Sequence, residues 1–171
     1  SLPIPGMVDE AVKLSALETI ALSKIDVAMF KSPEDAALAV GRHCPDAHRS
    51  PSRFGKQVFD QLQEYFRGER KTFDVRLDDA ALSDFARNVH KALSQVPYGS
   101  VVTYRDLARL AGSPGAARAV GRVMSANPFP LIVPCHRVVN ADGQPGQYSG
   151  GFGRQTKAWL IELERGLAPQ S

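Results

Sequence analysis

Glycine and proline cut the second half of this chain into short pieces, and that punctuation limits its folding more than any other feature. Pro97-Tyr98-Gly99, Gly112, Ser113-Pro114, Asn127-Pro128 and the glycine-rich run from Asp142 to Gly153 leave room only for short elements. Proline lacks the amide hydrogen that a continuing helix needs, and glycine most readily takes the left-handed conformation that closes one. Between these breaks the apolar residues recur at helical spacing. Leu82, Phe85, Val89 and Leu93 form one stripe that ends at Pro97-Tyr98-Gly99. Tyr104 to Ala111 predicts a short helix with Leu107 and Leu110 inward, and Ser113-Pro114 opens another from Gly115 to Ala126. Two short helices joined by a tight glycine-containing turn have the pattern of a helix-turn-helix. Pro130 to Val133 and Arg137 to Val139 are strand-like runs flanking Pro134-Cys135-His136. A last helix, Lys157 to Arg165, turns Trp159, Leu160 and Leu163 inward.

The first half is marked less sharply. In residues 1–31, Leu17, Ile20 and Leu22 with Val27, Met29 and Phe30 suit a strand pair around Ser23-Lys24. Val8 to Leu22 reads equally well as an amphipathic helix, because periodicity does not separate the two in short apolar runs. Ser32-Pro33-Glu34-Asp35 supplies an N-cap, a first-turn proline and acids for a helix reaching Arg42. His43 to Pro51 reads as a loop, and the next helix carries Phe54, Val58, Leu62 and Phe66 on one stripe and stops at Gly68. Glu69 to Asp79 is charged, with Phe73, Val75 and Leu77 alternating as a short strand, and a domain boundary is placed there. The expected class is α/β. A small N-terminal sheet-plus-helix domain covers residues 1–77, and a mostly helical C-terminal domain with the helix-turn-helix covers residues 78–171.

A chain of 171 residues can bury a core in one or two small domains. Its 43% hydrophobic and 23% charged content is that of a soluble globular protein, with no apolar run long enough to cross a bilayer and no secretory leader, so a cytoplasmic location is expected. The net charge of +3 and pI of about 9.0 lean towards an anionic partner. Two cysteines, Cys44 and Cys135, are too few for a disulfide framework or a cysteine-rich zinc site. Cys44 lies between His43 and His48, where a weak metal site is conceivable and a partly buried thiol is the plainer reading.

Cys135 is different. In Pro134-Cys135-His136-Arg137-Val138-Val139 the thiol stands beside an imidazole and a guanidinium, and nearby positive charge favours the nucleophilic thiolate. Neighbours in sequence need not face each other, so the pair alone is weak evidence. The surroundings add to it, because the helix-turn-helix pattern precedes it and a glycine-rich loop follows. Gly115-Ala116-Ala117-Arg118-Ala119-Val120-Gly121-Arg122 is small and basic. A reader of base edges needs polar side chains such as Asn, Gln and Arg. Alanine and glycine instead suit a helix pressed into a narrow groove, or one packed tightly inside the protein through its small face.

The hexapeptide, with Ile132-Val133 before it, resembles the active-site signature of the O6-alkylguanine-DNA alkyltransferases, or methylated-DNA–protein-cysteine methyltransferases. The likeness runs in family order from Phe85 through Pro97-Tyr98-Gly99, Thr103-Tyr104, Arg118-Ala119-Val120-Gly121 and Asn127-Pro128 to Trp159-Leu160 and Glu164, about half the chain. The resemblance implies direct-reversal DNA repair by a single-turnover (suicide) methyltransferase. An alkyl group, methyl above all, would pass irreversibly from O6-alkylguanine in duplex DNA to Cys135, with O4-alkylthymine left open as a second substrate. His136 would be the relay histidine that draws the thiol proton through a water, and Glu164, with Glu162 as the alternative, would orient it. Tyr104 would donate to N3 of the extruded guanine, and Asn127 would be the hinge between the helix-turn-helix and the active-site run.

By the same resemblance Tyr104, Val138, Tyr148 and Ser149 form the alkylguanine pocket, the Val138 carbonyl accepting from the exocyclic amine and the Ser149 amide approaching O6. Arg118 would be the finger that fills the stack after base flipping, with Ala116, Ala117, Ala119, Gly121 and Arg122 along the DNA. Arg105, Arg109, Arg122 and Lys157 are phosphate-contact candidates. No cofactor and no metal are implied, since the DNA supplies the alkyl group. The partner would be double-stranded DNA containing O6-alkylguanine, and no membrane. A monomer associated with the nucleoid when on DNA is expected, with clustering on DNA left open. The N-terminal domain would be ribonuclease-H-like but shortened, without the cysteines that hold a structural zinc in some relatives. The rivals are a non-catalytic damage-binding module and a Cys-His hydrolase. Only the alkyltransferase would become covalently labelled by labelled methylated DNA.

Overall fold

The computed structural model describes residues 53–77, 79–149 and 153–167. The strand pair or helix expected in residues 1–31, the helix from Ser32, the loop bearing Cys44, the Phe54 side chain, and Gly150 and Gly151 lie outside the described residues.

Helix α1 (Arg53–Phe66) buries Val58, Leu62 and Tyr65, whose spacing puts them on one face. Gly68 follows at φ 74°. Beyond it Phe73, Val75 and Leu77 alternate inward with exposed Asp74 and Arg76, but they form no strand and have no ladder partner among the described residues. The segment is held by α1 instead. Gln61 donates to the Asp74 carbonyl at 3.0 Å and accepts from its amide at 2.8 Å, and Gln57 adds a bond to the same carbonyl at 2.9 Å. A glutamine side chain, itself an amide, thus replaces the neighbouring strand.

Helix α2 (Asp84–Leu93) starts at Ser83, whose hydroxyl accepts from the Ala86 amide at 3.2 Å, and buries Val89 and Leu93 as the stripe predicts. Strand β1 (Val102–Thr103) pairs in parallel with β2 (Val138–Val139), Val102 opposite Val138 and Thr103 opposite Val139. β1 runs directly into helix α3 (Tyr104–Leu110), capped by Thr103, which accepts from the Asp106 amide at 3.1 Å. This short parallel pairing sets the start of α3, and with it Tyr104, beside the chain that leaves Cys135.

Leu107 and Ala108 of α3 are buried, but Leu110, expected inward, is 60% exposed. The inner face centres between residues 107 and 108, and a step of three residues from Leu107 swings Leu110 off it. Gly112 at φ 73° ends the helix, donating to the Arg109 carbonyl at 3.0 Å while Ser113 donates to that of Ala108 at 2.9 Å. Helix α4 (Ala117–Ser125) starts two residues later than expected, because Gly115 is left-handed and the Ala116 amide closes a turn onto the Ser113 carbonyl at 3.1 Å.

Pro130 to Val133 is not a strand. Leu131 has φ 70°, and the Val133 amide turns back to the Phe129 carbonyl at 2.8 Å. Cys135 therefore sits not between two strands but at the entry of a 3-10 turn, Cys135–Arg137, with β2 after it. Helix α5 (Arg154–Glu164) begins three residues earlier than expected and buries Trp159, Leu160 and Leu163. These side chains pack with Val58, Leu62 and Tyr65 of α1. A second cluster joins α2, α3 and α4 to Cys135 and Val138. A fully buried leucine contributes about 1.5–3 kcal/mol, so both clusters hold the chain around the thiol firmly. The class is α/β, helices around a small parallel sheet. Among the described residues no helix is long and apolar enough to cross a membrane.

Candidate functional site

Cys135 is 5% exposed. Asn127, just past the end of α4, fixes the approach to it. Its Nδ2 donates to the Val133 carbonyl at 2.9 Å and its Oδ1 accepts from the Phe129 amide at 3.0 Å, and its side chain lowers the pKa of the thiol. Tyr148, from the loop before α5, also favours the thiolate, lowering the pKa of the thiol slightly. Ser149, next to it, is exposed, and Val138 is buried in β2.

Glu164 gathers four residues. Its Oε1 lies 2.7 Å from His136 Nε2, accepts from the Tyr65 hydroxyl at 2.8 Å and from Arg137 Nη2 at 3.0 Å. Its Oε2 accepts from Arg137 Nε at 2.9 Å and from the Gly99 amide at 3.0 Å. Gly99 has φ 79°, and a Cβ there would stand 3.0 Å from the Glu164 carbonyl oxygen, so only glycine fits this approach. Burial alone would raise the Glu164 pKa. Hydrogen bonds from His136, Arg137 and Gly99, with the His136 charge, outweigh it and hold the carboxyl at about 2. Glu162 is exposed and lends its backbone carbonyl to the helix end, so Glu164 is the carboxylate that meets His136.

His136 is fully buried, and burial pushes its pKa below the ordinary 6.5 despite the pull of Glu164. The ring is neutral at pH 7. Because an ionised carboxylate faces Nε2, the hydrogen resides there and Nδ1 presents its lone pair. Nδ1 is buried without a hydrogen-bond partner among the described residues.

Burial also raises the Cys135 pKa, more than Asn127, Lys157 and Tyr148 lower it. This corrects the expectation of a resting thiolate made by His136 and Arg137. His136 is neutral, and the Arg137 guanidinium is occupied by Glu164 and by the Val96 carbonyl at 2.7 Å. The cation that acts on the thiol is Lys157. It is 1% exposed, with its ammonium 3.4 Å from the Tyr104 hydroxyl and 5.6 Å from that ring's centroid, and burial lowers its pKa to about 8. Lys157 is therefore not the surface phosphate contact suggested by the sequence. Burial, and then the Cys135 charge, raise the Tyr104 pKa, so its phenol keeps its proton at neutral pH.

On α4, Val120 and Met124 face the core, Arg118 and Arg122 are exposed, and Ala116, Ala117, Ala119 and Gly121 are half-buried. A Cβ on Gly121 would meet nothing within 4 Å, so internal packing does not require the small residue there. Arg105 is exposed, while Arg109 is paired with Asp106 at 3.0 Å. Sequence reasoning missed two side chains that bond Glu164. Arg137 carries a fork suited to a carboxylate, which is a signal. Tyr65, on α1, gave none beyond its place in an apolar stripe.

A buried thiol whose chain neighbour is an imidazole oriented by an ionised carboxylate is the equipment of a protein that forms covalent bonds through cysteine. Residues 84–166 match the model of the 6-O-methylguanine DNA methyltransferase DNA-binding domain. The methylated-DNA–protein-cysteine methyltransferase of Mycobacterium tuberculosis is 48% identical over 119 residues, 70% of each chain. Two crystal structures are similar. One is Mycobacterium tuberculosis OGT in complex with DNA (TM-score 0.62, 46% identity, 67% of this chain and 70% of that one). The other is the O6-methylguanine-DNA methyltransferase of Pyrococcus kodakaraensis (TM-score 0.58, 35% identity, 77% and 75%). The chain belongs to the methylated-DNA–protein-cysteine methyltransferase family.

Proposed function

We propose that this protein reverses O6-alkylguanine damage in duplex DNA by moving the alkyl group to Cys135. The observation that carries the reading is the buried His136–Glu164 pair, held at 2.7 Å, with His136 next to the thiol in the chain. The thiol rests protonated, so it needs a base. The His136 Nδ1 lone pair is the base, reached through a water, and Glu164 steadies the imidazolium formed. The thiolate sulfur then bonds to the alkyl carbon as that carbon's bond to O6 breaks. The guanine anion takes a proton at N3 from Tyr104, whose hydroxyl oxygen accepts from Lys157 and leaves its own hydrogen to donate. The thioether has no good leaving group, so each molecule acts once.

Helices α3 and α4 act as the helix-turn-helix in this reading, with Ala116, Ala117, Ala119 and Gly121 against the DNA and Arg105 and Arg122 at phosphates. Arg118 enters the stack when the target base is flipped, a step required because O6 is otherwise inside the duplex. Val138, Tyr148 and Ser149 enclose the flipped base with Tyr104. Asn127 ties α4 to the Cys135 turn. We place the two domains at residues 1–77 and 78–171 and the protein, as a monomer, in the cytoplasm at the nucleoid. The test is peptide mapping after exposure to labelled O6-methylguanine DNA. Label on Cys135, absent from Cys135→Ser although that variant still binds DNA, supports the reading. Label on Cys44, or none, overturns it.

A further inference from the structure

We propose that Tyr65 is a positioning residue for alkyl transfer, its hydroxyl fixing the Glu164 oxygen that faces His136, so that helix α1 completes the site from outside the matched family domain. The inference rests on the proposed role of the His136–Glu164 pair. Three observations carry it. Tyr65 has no exposed surface, and its hydroxyl donates to Glu164 Oε1 at 2.8 Å, the same oxygen that faces His136 Nε2. That hydroxyl is also 3.4 Å from His136 Nε2, so the three polar atoms form one closed group. Tyr65 stands on α1, whereas the matched domain spans residues 84–166.

The chemistry gives Tyr65 a specific task. Arg137 grips both carboxylate oxygens from one side, and the Gly99 amide holds Oε2. On Oε1 the Tyr65 hydroxyl shares the oxygen with the neutral His136 ring. Donors that share one acceptor weaken each other, so the phenol tempers how strongly Oε1 draws the imidazole hydrogen and holds that oxygen at one angle. A buried donor facing a carboxylate is costly to leave unmatched, so the aromatic contacts around the ring also serve to aim the hydroxyl. Phe66, Phe73 and Tyr98 lie 5.4–6.0 Å away, centroid to centroid.

The test uses the full chain, with Tyr65→Phe and a second form carrying 3-fluorotyrosine at position 65. Tyr65→Phe should slow transfer about tenfold while DNA affinity holds, the size expected for one hydrogen bond to a charged group. In a Glu164→Gln background the same change should have almost no further effect. The His136 Nε2 proton resonance should move downfield in Tyr65→Phe, because Oε1 then accepts more strongly from the donor it keeps. It should move upfield with fluorotyrosine, a stronger donor. This resonance is read without any DNA, so it tests Tyr65 even if the wild-type protein transfers no alkyl group and the parent reading fails. Resonances unmoved in both forms, or equal rate losses in wild-type and Glu164→Gln backgrounds, would overturn the proposal.

Discussion

At the scale of residues, the site turns on a carboxylate that is nearly dry yet ionised. Glu164 accepts five hydrogen bonds from four residues, enough to hold its pKa at about 2 against burial. Deleting such a group outright would strand the charge of Arg137 and cost roughly 3–5 kcal/mol, so Glu164→Gln is the cleaner probe. Glu164→Gln and His136→Gln should each slow transfer by about a hundredfold, the general-base range, and the double variant should lose far less than the product. Glu162→Gln should leave the rate unchanged. Second-order transfer rates decide it: multiplicative losses would mean that the two do not work as a relay. The motif around Cys135 and His136 was legible in the sequence because it is contiguous. Tyr65 and Arg137 lie 99 and 27 residues from Glu164 in the chain, and no local pattern announces such pairings.

At the scale of elements, legibility followed the strength of local signals. Helix α2 has a serine cap and an unbroken stripe, and its inner face matches the reading from sequence. The run before Cys135 looked like a strand because it is apolar. Pro128, Pro130 and Pro134 cannot donate to a ladder, and the Asn127 side chain takes the Phe129 amide and Val133 carbonyl that a strand would need. Side-chain competition of this kind is invisible to periodicity. Lys157 misled in the opposite way: a lysine at a helix start suggested solvent, whereas its place on α5 turns it towards Tyr104 and Cys135. For α4 the expectation concerns Arg118. Arg118→Ala should slow transfer most from matched duplex, less from duplex mismatched opposite the lesion, and least from free O6-benzylguanine. Flipping costs a few kcal/mol and less where pairing is already weak. Equal losses on all three substrates would make Arg118 an electrostatic contact and not a finger.

At the scale of the whole molecule, the same buried groups tie folding to pH. Glu164 has a folded pKa below its unfolded value, so its stabilisation is complete above about 4.5 and is lost as pH falls through about 2. The linkage is worth about 3 kcal/mol. His136 acts in the same direction, because it is buried neutral and the unfolded chain takes up its proton first as pH drops below 6.5. Denaturant midpoints should therefore fall steadily from pH 6.5 downward, and Glu164→Gln should flatten the lower part of that decline. A wild-type midpoint level between pH 6.5 and 3 would contradict this coupling of site to fold.

The central claim is that a thiol in this setting takes one alkyl group and cannot release it. Intact-protein mass spectrometry during incubation with excess O6-methylguanine duplex tests it most directly. The account expects methyl gain to plateau at about one per molecule, all of it on Cys135, with demethylated DNA formed in equal amount. Repaired DNA that keeps accumulating after every molecule carries its methyl group would contradict it.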